Sequence, residues 1–523
     1  MKTMHAKIFS ATTIGVDAHL VEIEADLSFG MMNFYIVGLP DTAIKESKFR
    51  INTALKNCGF RLPDKTITIN LAPADLKKEG TLFDLPISIG ILQAAQQLYI
   101  SKEFLDETIF LGELSLDGNV RFIKGALPIA HGAKNLNKKR IILPKENAFE
   151  AALIPGIEVI GIESLPQLIS YLKGEIQLQP TINSIKDIKF ETNKMDVDFS
   201  QVKGQYQAKR ALQISAAGRH NILFVGPPGA GKTMLAKRLP TIMPNMSFEE
   251  ILETSKIYSI SGKLKKHPLI LKRPFRNPHH TISQAGLVGG GSNPQPGEIS
   301  LSHNGILFLD ELTEFKRDTL EVLRQPLENK TVSIARVNQS VSFPASFLLV
   351  SALNPCPCGF LGDKKQACKC SKNQIEKYLN KLSGPLLDRM DIQINIQSIE
   401  YDTIKQADAN STSSARLFEP VAKAIEKQLS RFANTSCSCN AYMTPDLIEK
   451  YCHLTDQAEA TLKKAFEKLN LSMRGYHKIL KVARTIADLE GFDLIDTKHI
   501  REAIMYRSLD QNMEKIKQEK LYA

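Results

Sequence analysis

The sequence predicts an α/β protein in three parts: a mixed α+β unit, a nucleotide-binding core on a parallel sheet, and a helical C-terminal unit. Three observations carry this expectation. Short apolar strands alternate with amphipathic helices over residues 1–173, a strand–glycine loop–helix unit follows at "HNILFVGPPGAGKTMLAKRL", and residues 415–510 read almost wholly as helix. Such alternation suits layered folds, because each helix must bury one stripe against a sheet.

At 523 residues the chain exceeds one ordinary core, and about two to four domains are expected. Hydrophobic residues at 43% and charged residues at 24% exclude a disordered chain. No apolar run approaches the ~18 residues of a membrane span, so no membrane partner is expected. The apolar start is broken by Ser10, Thr12, Thr13 and Asp17, unlike a signal peptide, which predicts a cytoplasmic protein. Eight cysteines in a reducing compartment argue against a disulfide framework. The net charge of +11 fits a polyanionic partner, although solubility alone explains a surplus of this size.

In chain order, "NFYIVGL" and "TITINLA" read as strands. "DTAIKESKFRINTALKNCGF" reads as a helix capped by Asp41 and stopped at Gly59. "FDLPISIGILQAAQQL" reads as a second helix, and "ETIFLGELSLDGNVRFI" as a hairpin around Asp117-Gly118. Residues 174–198, polar and aperiodic, read as a linker before a core over 199–414. A helical unit follows over 415–510, with a tail over 511–523.

"GPPGAGKT" fits G-x-x-x-x-G-K-[ST], with Gly226, Pro227, Pro228, Gly229, Ala230, Gly231, Lys232 and Thr233 forming the loop. Its glycines let backbone N–H groups curl around phosphate oxygens, and the following helix adds its dipole. Lys232 is expected to neutralise the β- and γ-phosphates of ATP, and the Thr233 hydroxyl to ligate Mg²⁺. Downstream, "NGILFLDEL" ends a buried strand on Asp310 and Glu311. Asp310 is expected to hold the Mg²⁺ shell and Glu311 to polarise the attacking water. "SFLLVSALNPC" ends a further strand on Asn354, whose amide can orient that water.

This order of elements resembles the AAA+ ATPases, whose active sites lie between ring subunits. The resemblance implies two arginines: Arg389 in "SGPLLDRMD" as the trans-acting finger, and Arg474 in "LSMRGYHKIL" as a cis-acting second sensor, with Arg484 as its substitute. An arginine finger is worth ~10³–10⁵ in rate. "GLVGGG" reads as a mobile loop, "PGEISLSHNG" as a short helix and "TVSIARVNQSVSFPASF" as a hairpin, which resemble inserts of the magnesium-chelatase motor subunit. Together "PFRNPHHTIS", "GEISLSHNGILFLDEL", "NPCPCG", "SGPLLDRMD" and "YHKILKVARTIADLEG" are similar to the YifB/ComM family of magnesium-chelatase-like AAA+ ATPases. His279 and His280 have no third ligand nearby, so a pocket-lining role is preferred to metal.

The first unit resembles the Lon-protease-type fold of the ribosomal S5 superfamily through "PADLKKEGTLFDLPISIGIL" and "LGELSLDGNVRFIKGALPIAHGAK". The protease dyad is missing: Thr81, Leu82, Phe83 and Asp84 stand at the serine, and Pro128, Ile129 and Ala130 at the lysine. The chain is therefore expected to use this unit for DNA, a partner or ring organisation, and not for proteolysis.

The family resemblance implies a hexameric motor on single-stranded and branched DNA, a branch migration helicase working with other recombination proteins during natural transformation. The rival reading is a chelatase-like ATPase remodelling a protein partner, against which the Lon-like unit counts. Cys356, Cys358, Cys368 and Cys370 form two C-x-C pairs directly after Asn354. Structural zinc, a redox switch and free thiols are the three readings, with zinc favoured although C-x₂-C is the usual spacing. Cys437 and Cys439 have no second pair nearby and are read as ordinary thiols.

Overall fold

The computed structural model describes residues 4–182, 197–264, 269–291, 294–336, 339–363, 365–398, 412–469 and 471–507. Most of the linker expected over 174–198, and all of the tail over 511–523, lie outside the described residues.

The N-terminal unit holds a four-stranded sheet in the order His5–Ile14, Asp17–Ser28, Thr66–Ala72, Phe34–Val37. The first three run antiparallel and Phe34–Val37 joins parallel at the edge. A second, parallel sheet pairs Thr108–Phe110, Arg140–Pro144 and Glu158–Ile162. The helix Thr42–Asn57 is capped by Asp41, whose carboxylate accepts from Ile44 N–H at 2.8 Å. The hairpin at Asp117-Gly118 pairs Glu113–Leu114 with Val120–Arg121.

The nucleotide core is a five-stranded parallel sheet. Its order is an edge strand (Phe275–Arg276), an acidic strand (Ile306–Leu309), a sensor strand (Leu348–Leu353), a phosphate-loop strand (Ile222–Val225) and a finger strand (Ile392–Asn395). Every residue of the three central strands is buried, which is why their sequences are unbroken apolar runs without alternation. Ligands of such sheets bind beyond the carboxyl ends of the strands.

The insert at "GLVGGG" departs from the mobile loop expected of it. Ser283 caps a helix over Gln284–Val288 by accepting from Gly286 N–H at 3.1 Å, and Leu287 is fully buried. Gly289–Gly290 then pairs with Gln295–Pro296. Glycine is needed at 289 for close approach: φ is +108°, and a Cβ there would meet the Gln295 carbonyl oxygen at 2.3 Å. The second insert is the expected hairpin, Thr331–Arg336 against Gln339–Pro344.

Among the described residues, five helices, Ser414–Phe432, Pro445–Tyr451, Asp456–Lys468, Met473–Glu490 and Thr497–Met505, make the C-terminal unit. They share one apolar cluster with the helix Tyr206–Gly218 of the core. Toward the other side, the helix Phe248–Ile260 buries Ile251 with Leu127 and Ile129 of the N-terminal unit. Ser259 there donates to Glu150, whose carboxyl is pushed up by burial.

Candidate nucleotide site

The phosphate loop leaves the sheet at Gly226, where a Cβ would meet the Ile396 carbonyl oxygen at 2.3 Å. Gly229 and Gly231 take φ of +75° and +89°, which turns successive N–H groups into the loop. The helix that follows, Lys232–Ala236, is only five residues long. The buried Lys232 ammonium donates to the carbonyls of Gly226 (2.6 Å) and Pro227 (3.0 Å) and to Asn354 Oδ1 (2.9 Å). Burial lowers its pKa, and the charges of Asp310 and Glu311 oppose that. Sequence-distant Lys232 and Asn354 are thus brought together.

Thr233 Oγ1 donates to Asp310 Oδ2 at 2.5 Å. These two oxygens converge as Mg²⁺ ligands must, so the residues present fit the metal. Glu311 follows at the strand end with φ of +50°, a left-handed conformation uncommon for a non-glycine residue, and its N–H is held by Asp310 Oδ1 at 3.0 Å. His280 Nδ1 lies 3.3 Å from Glu311 Oε2, a partner that sequence reasoning left without an assignment. The His279 ring lies tilted against that of His280, centroids 4.1 Å apart, and His279 Nδ1 hydrogen-bonds Thr281 Oγ1 at 2.9 Å.

Arg389 and Arg474 stand elsewhere. Both line a cavity of about 250 Å³ with Asn221, Asp391, His477 and Lys478. Asn221 precedes the phosphate-loop strand and Asp391 precedes the finger strand, so this cavity opens at the amino edge of the sheet, opposite the phosphate loop. The cis role expected for Arg474 has no supporting geometry, because the C-terminal helices pack its helix against the finger loop. Lys478, one turn on, donates to the carbonyls of Asp388 and Met390. Arg389 pairs with Glu328, yet its buried Nε has no hydrogen-bond partner among the described residues. Burial pushes the Arg389 guanidinium down, Arg474 and Arg324 push it further, and Asp391 opposes them. An anion delivered from outside would relieve that crowding.

Arg484 cannot stand in for Arg474. It is fully buried, bonded to Asp488 Oδ1 at 3.2 Å and to the carbonyls of Phe492 and Asp493.

The four thiols of Cys356, Cys358, Cys368 and Cys370 lie within 4.8 Å of one another. Cys356 is 3.3 Å from Cys358 and 3.6 Å from Cys368, sulfur to sulfur, and Cys358 is 3.6 Å from Cys368. Four sulfurs at ~2.3 Å from one tetrahedral zinc stand roughly 3.8 Å apart, so the residues fit that ion. Backbone N–H groups of Phe360 and Lys369 hold the Cys358 thiol down to about 6, which favours the thiolate a metal needs. Gly359 in this loop packs on the phosphate loop, where a Cβ would meet Pro228 Cδ at 2.6 Å. That contact was invisible in the sequence. Cys437 and Cys439 lie apart from the cluster in the C-terminal unit.

In the N-terminal unit, Pro128, Ile129 and Ala130 are buried in a helix, and Asp84 is clamped by Arg50 at 2.8 and 3.0 Å. No side chain there forms a Ser–Lys pair among the described residues.

The family models described as magnesium chelatase, subunit ChlI, and its C-terminal part match residues 198–404 and 411–507. A third, described as subunit ChlI of Mg-chelatase, matches 23–147, so the N-terminal unit does not by itself separate the chain from chelatase subunits. Competence protein ComM of Haemophilus influenzae is 44% identical over 98% of this chain and 99% of its own length. The uncharacterised protein YifB of Escherichia coli is 40% identical over 96% and 97%. Lon protease 2 of Bacillus subtilis is 31% identical over 156 residues, 29% of this chain and 26% of its own. A phosphate loop, an acidic strand end and a sensor amide at the carboxyl edge of a parallel sheet define an AAA+ ATPase of the magnesium-chelatase type. The chain belongs to the YifB/ComM family of these ATPases.

Proposed function

We propose that the chain is a ring-forming, hexameric ATPase that couples ATP hydrolysis to translocation on single-stranded and branched DNA. In this reading it is a branch migration helicase of homologous recombination during natural transformation, working with other recombination proteins. The observation that carries the ring is the division of the site: Lys232, Thr233 and Glu311 at one edge of the sheet, Arg389 and Arg474 at the other. Catalysis needs both sets, so a neighbouring subunit must complete each site. The net charge of +11 and the two inserts support DNA as the track, as does similarity to a competence protein. A DNA replication licensing factor, Mcm6 of Anopheles gambiae, is also similar, at 19% identity over 84% of this chain and 51% of its own.

In the assembled site the loop amides from Gly226 to Thr233 and Lys232 hold the β- and γ-phosphates. Thr233 and Asp310 hold Mg²⁺, which supplies charge neutralisation on the phosphates when bound. Glu311 takes the proton of the attacking water, Asn354 orients that water, and Arg389 and Arg474 of the neighbour meet the developing charge. The cysteine cluster holds structural zinc and stiffens the exit of the sensor strand beside Pro228.

The test is ATP turnover by the purified chain with no DNA, duplex, single-stranded and branched DNA. Stimulation by the last two, with movement of a labelled three-strand joint, is the expected result; indifference to all of them would overturn the DNA reading. The chelatase descriptions favour a second reading, a protein-remodelling ATPase, for which a stable protein partner would raise turnover where DNA does not.

A further inference from the structure

We propose that the cavity between the turn after Glu311 and the helix after the cysteine loop is a phosphate-binding site, separate from the nucleotide site. The phosphate comes from single-stranded DNA, a step that rests on the DNA reading above; free polyphosphate is the other source of the same chemistry. The cavity measures about 440 Å³, room for a phosphate and the sugar it joins.

One wall begins at the acidic strand. Glu314 N–H donates to the Glu311 carbonyl at 2.7 Å, which curls Leu312–Glu314 into a 3-10 turn, and the helix Arg317–Glu321 follows. The other wall is the helix Lys372–Leu379, capped by Ser371. Its Ile375, Tyr378 and Leu379, at helical spacing, pack with Cys356 in one apolar cluster, which leaves Lys377 exposed on another face. Thr313 and Phe315 are buried at the floor, while Arg317, Lys377 and Lys381 stand exposed at the rim.

The lining carries these three cations against one carboxylate, Glu314. Glu314 Oε2 and Lys381 Nζ are 3.9 Å apart, a long pair between two half-exposed side chains that water screens. Among the described residues, neither Arg317 nor Lys377 pairs with a carboxylate. Lysines scattered along one helix are simply solvated. Here the cations converge from two elements on one concavity, where their fields add. A phosphate offers oxygens to donors on several sides, which suits the Arg317 fork and the Lys377 ammonium; a carboxylate offers only one edge.

The experiment uses the full chain with its phosphate loop saturated by a non-hydrolysable ATP analogue, so that added phosphate cannot enter that loop. Arg317→Gln with Lys377→Gln is compared with the parent and with Lys463→Gln plus Lys464→Gln, an equal charge loss on the helix Asp456–Lys468. Binding of a labelled oligothymidine is titrated across a salt series. Two lost contacts are expected to reduce the salt slope by ~1.4, a loss of roughly 25-fold in affinity at about 0.1 M salt. The control pair is expected to keep the parent's slope. Should the cavity pair fail to fold and bind the analogue, Lys377→Gln alone decides, with a slope change of ~0.7. A slope equal to the parent's would overturn the proposal, and so would an equal fall in the control, which would make the effect one of general charge. A smaller assembly of the cavity variant in light scattering would also overturn it, because a neighbouring subunit's carboxylate would then fill the cavity. If the parent binds no oligothymidine, the DNA reading fails, and pyrophosphate decides the site by calorimetry. Pyrophosphate bound by the parent and not by the cavity variant supports it; binding kept by the variant, or absent from the parent, overturns it.

Discussion

Arg389 and Arg474 line a single cavity at the amino edge of the parallel sheet, while Lys232 and Asn354 are hydrogen-bonded at its carboxyl edge. The four-residue phosphate-loop strand between them spans about 13 Å at ~3.3 Å per residue. Both guanidiniums stand at the sheet edge opposite the phosphate loop.

Complementation follows from that separation. Lys232→Ala and Arg474→Ala should each be nearly inactive alone, yet mixed rings should regain turnover. An Arg474→Ala subunit keeps its phosphate loop and borrows Arg474 from a Lys232→Ala neighbour. The same holds for Arg389→Ala, with a loss of ~10³-fold when every subunit carries it. Rescue for Arg389 and none for Arg474 would return Arg474 to a cis role.

Glu311→Gln should bind ATP as the parent does and hydrolyse it ~10²–10⁴-fold more slowly, since only the proton acceptor is lost. Lys232→Ala should instead weaken binding, a contrast visible in a titration with a fluorescent analogue.

The cysteine loop should carry one zinc per chain in protein purified without chelator, measured by elemental analysis. Replacing Cys356 and Cys368 by serine should remove it. Gly359→Ala should keep the zinc and still impair ATP binding, because the residue has φ of +86° and its Cβ would press on Pro228. Unchanged analogue affinity in that variant would dissociate the loop from the nucleotide.

Asp391 links pH to the stability of the finger loop. Burial works to raise its pKa, but the His220 side chain and the charges of Lys478 and Lys481 outweigh it and hold it at about 2, against an ordinary 3.8. A depressed folded-state value means stabilisation that is present above ~4 and lost as pH falls toward ~2, worth about 2 kcal/mol. Asp391→Asn should cost that much at pH 7, and the gap to the parent should close between pH 4 and pH 2 in denaturant melts.

The C-terminal unit is centred on Asp488, fully buried and shared by Arg431 (2.5 and 2.8 Å), Arg484 and Asn440. Asp488→Ala leaves the buried Arg484 and the half-buried Arg431 short of a partner and should destabilise this unit by ~3–5 kcal/mol. A calorimetric trace unchanged from the parent would contradict that assignment.

How much of this could be read beforehand differs by residue. Lys232, Thr233, Asp310 and Asn354 were legible because a phosphate loop and buried strand ends have fixed local signatures. Gly289 was misread as mobility, since a glycine run looks the same whether it serves freedom or the close approach of Gln295. Arg484 and Arg474 both sit on one helix, and no periodicity says which is locked beneath Asp488.

The chain's own order determined the elements, the loop chemistry and the family, because these depend on neighbours a few residues apart. Only the tertiary structure decided that Arg474 joins Arg389, that Gly359 leans on Pro228 and that His280 reaches Glu311. Such contacts join residues far apart in the chain, and they are set by how helices and loops pack on the sheet, which local residue types do not encode.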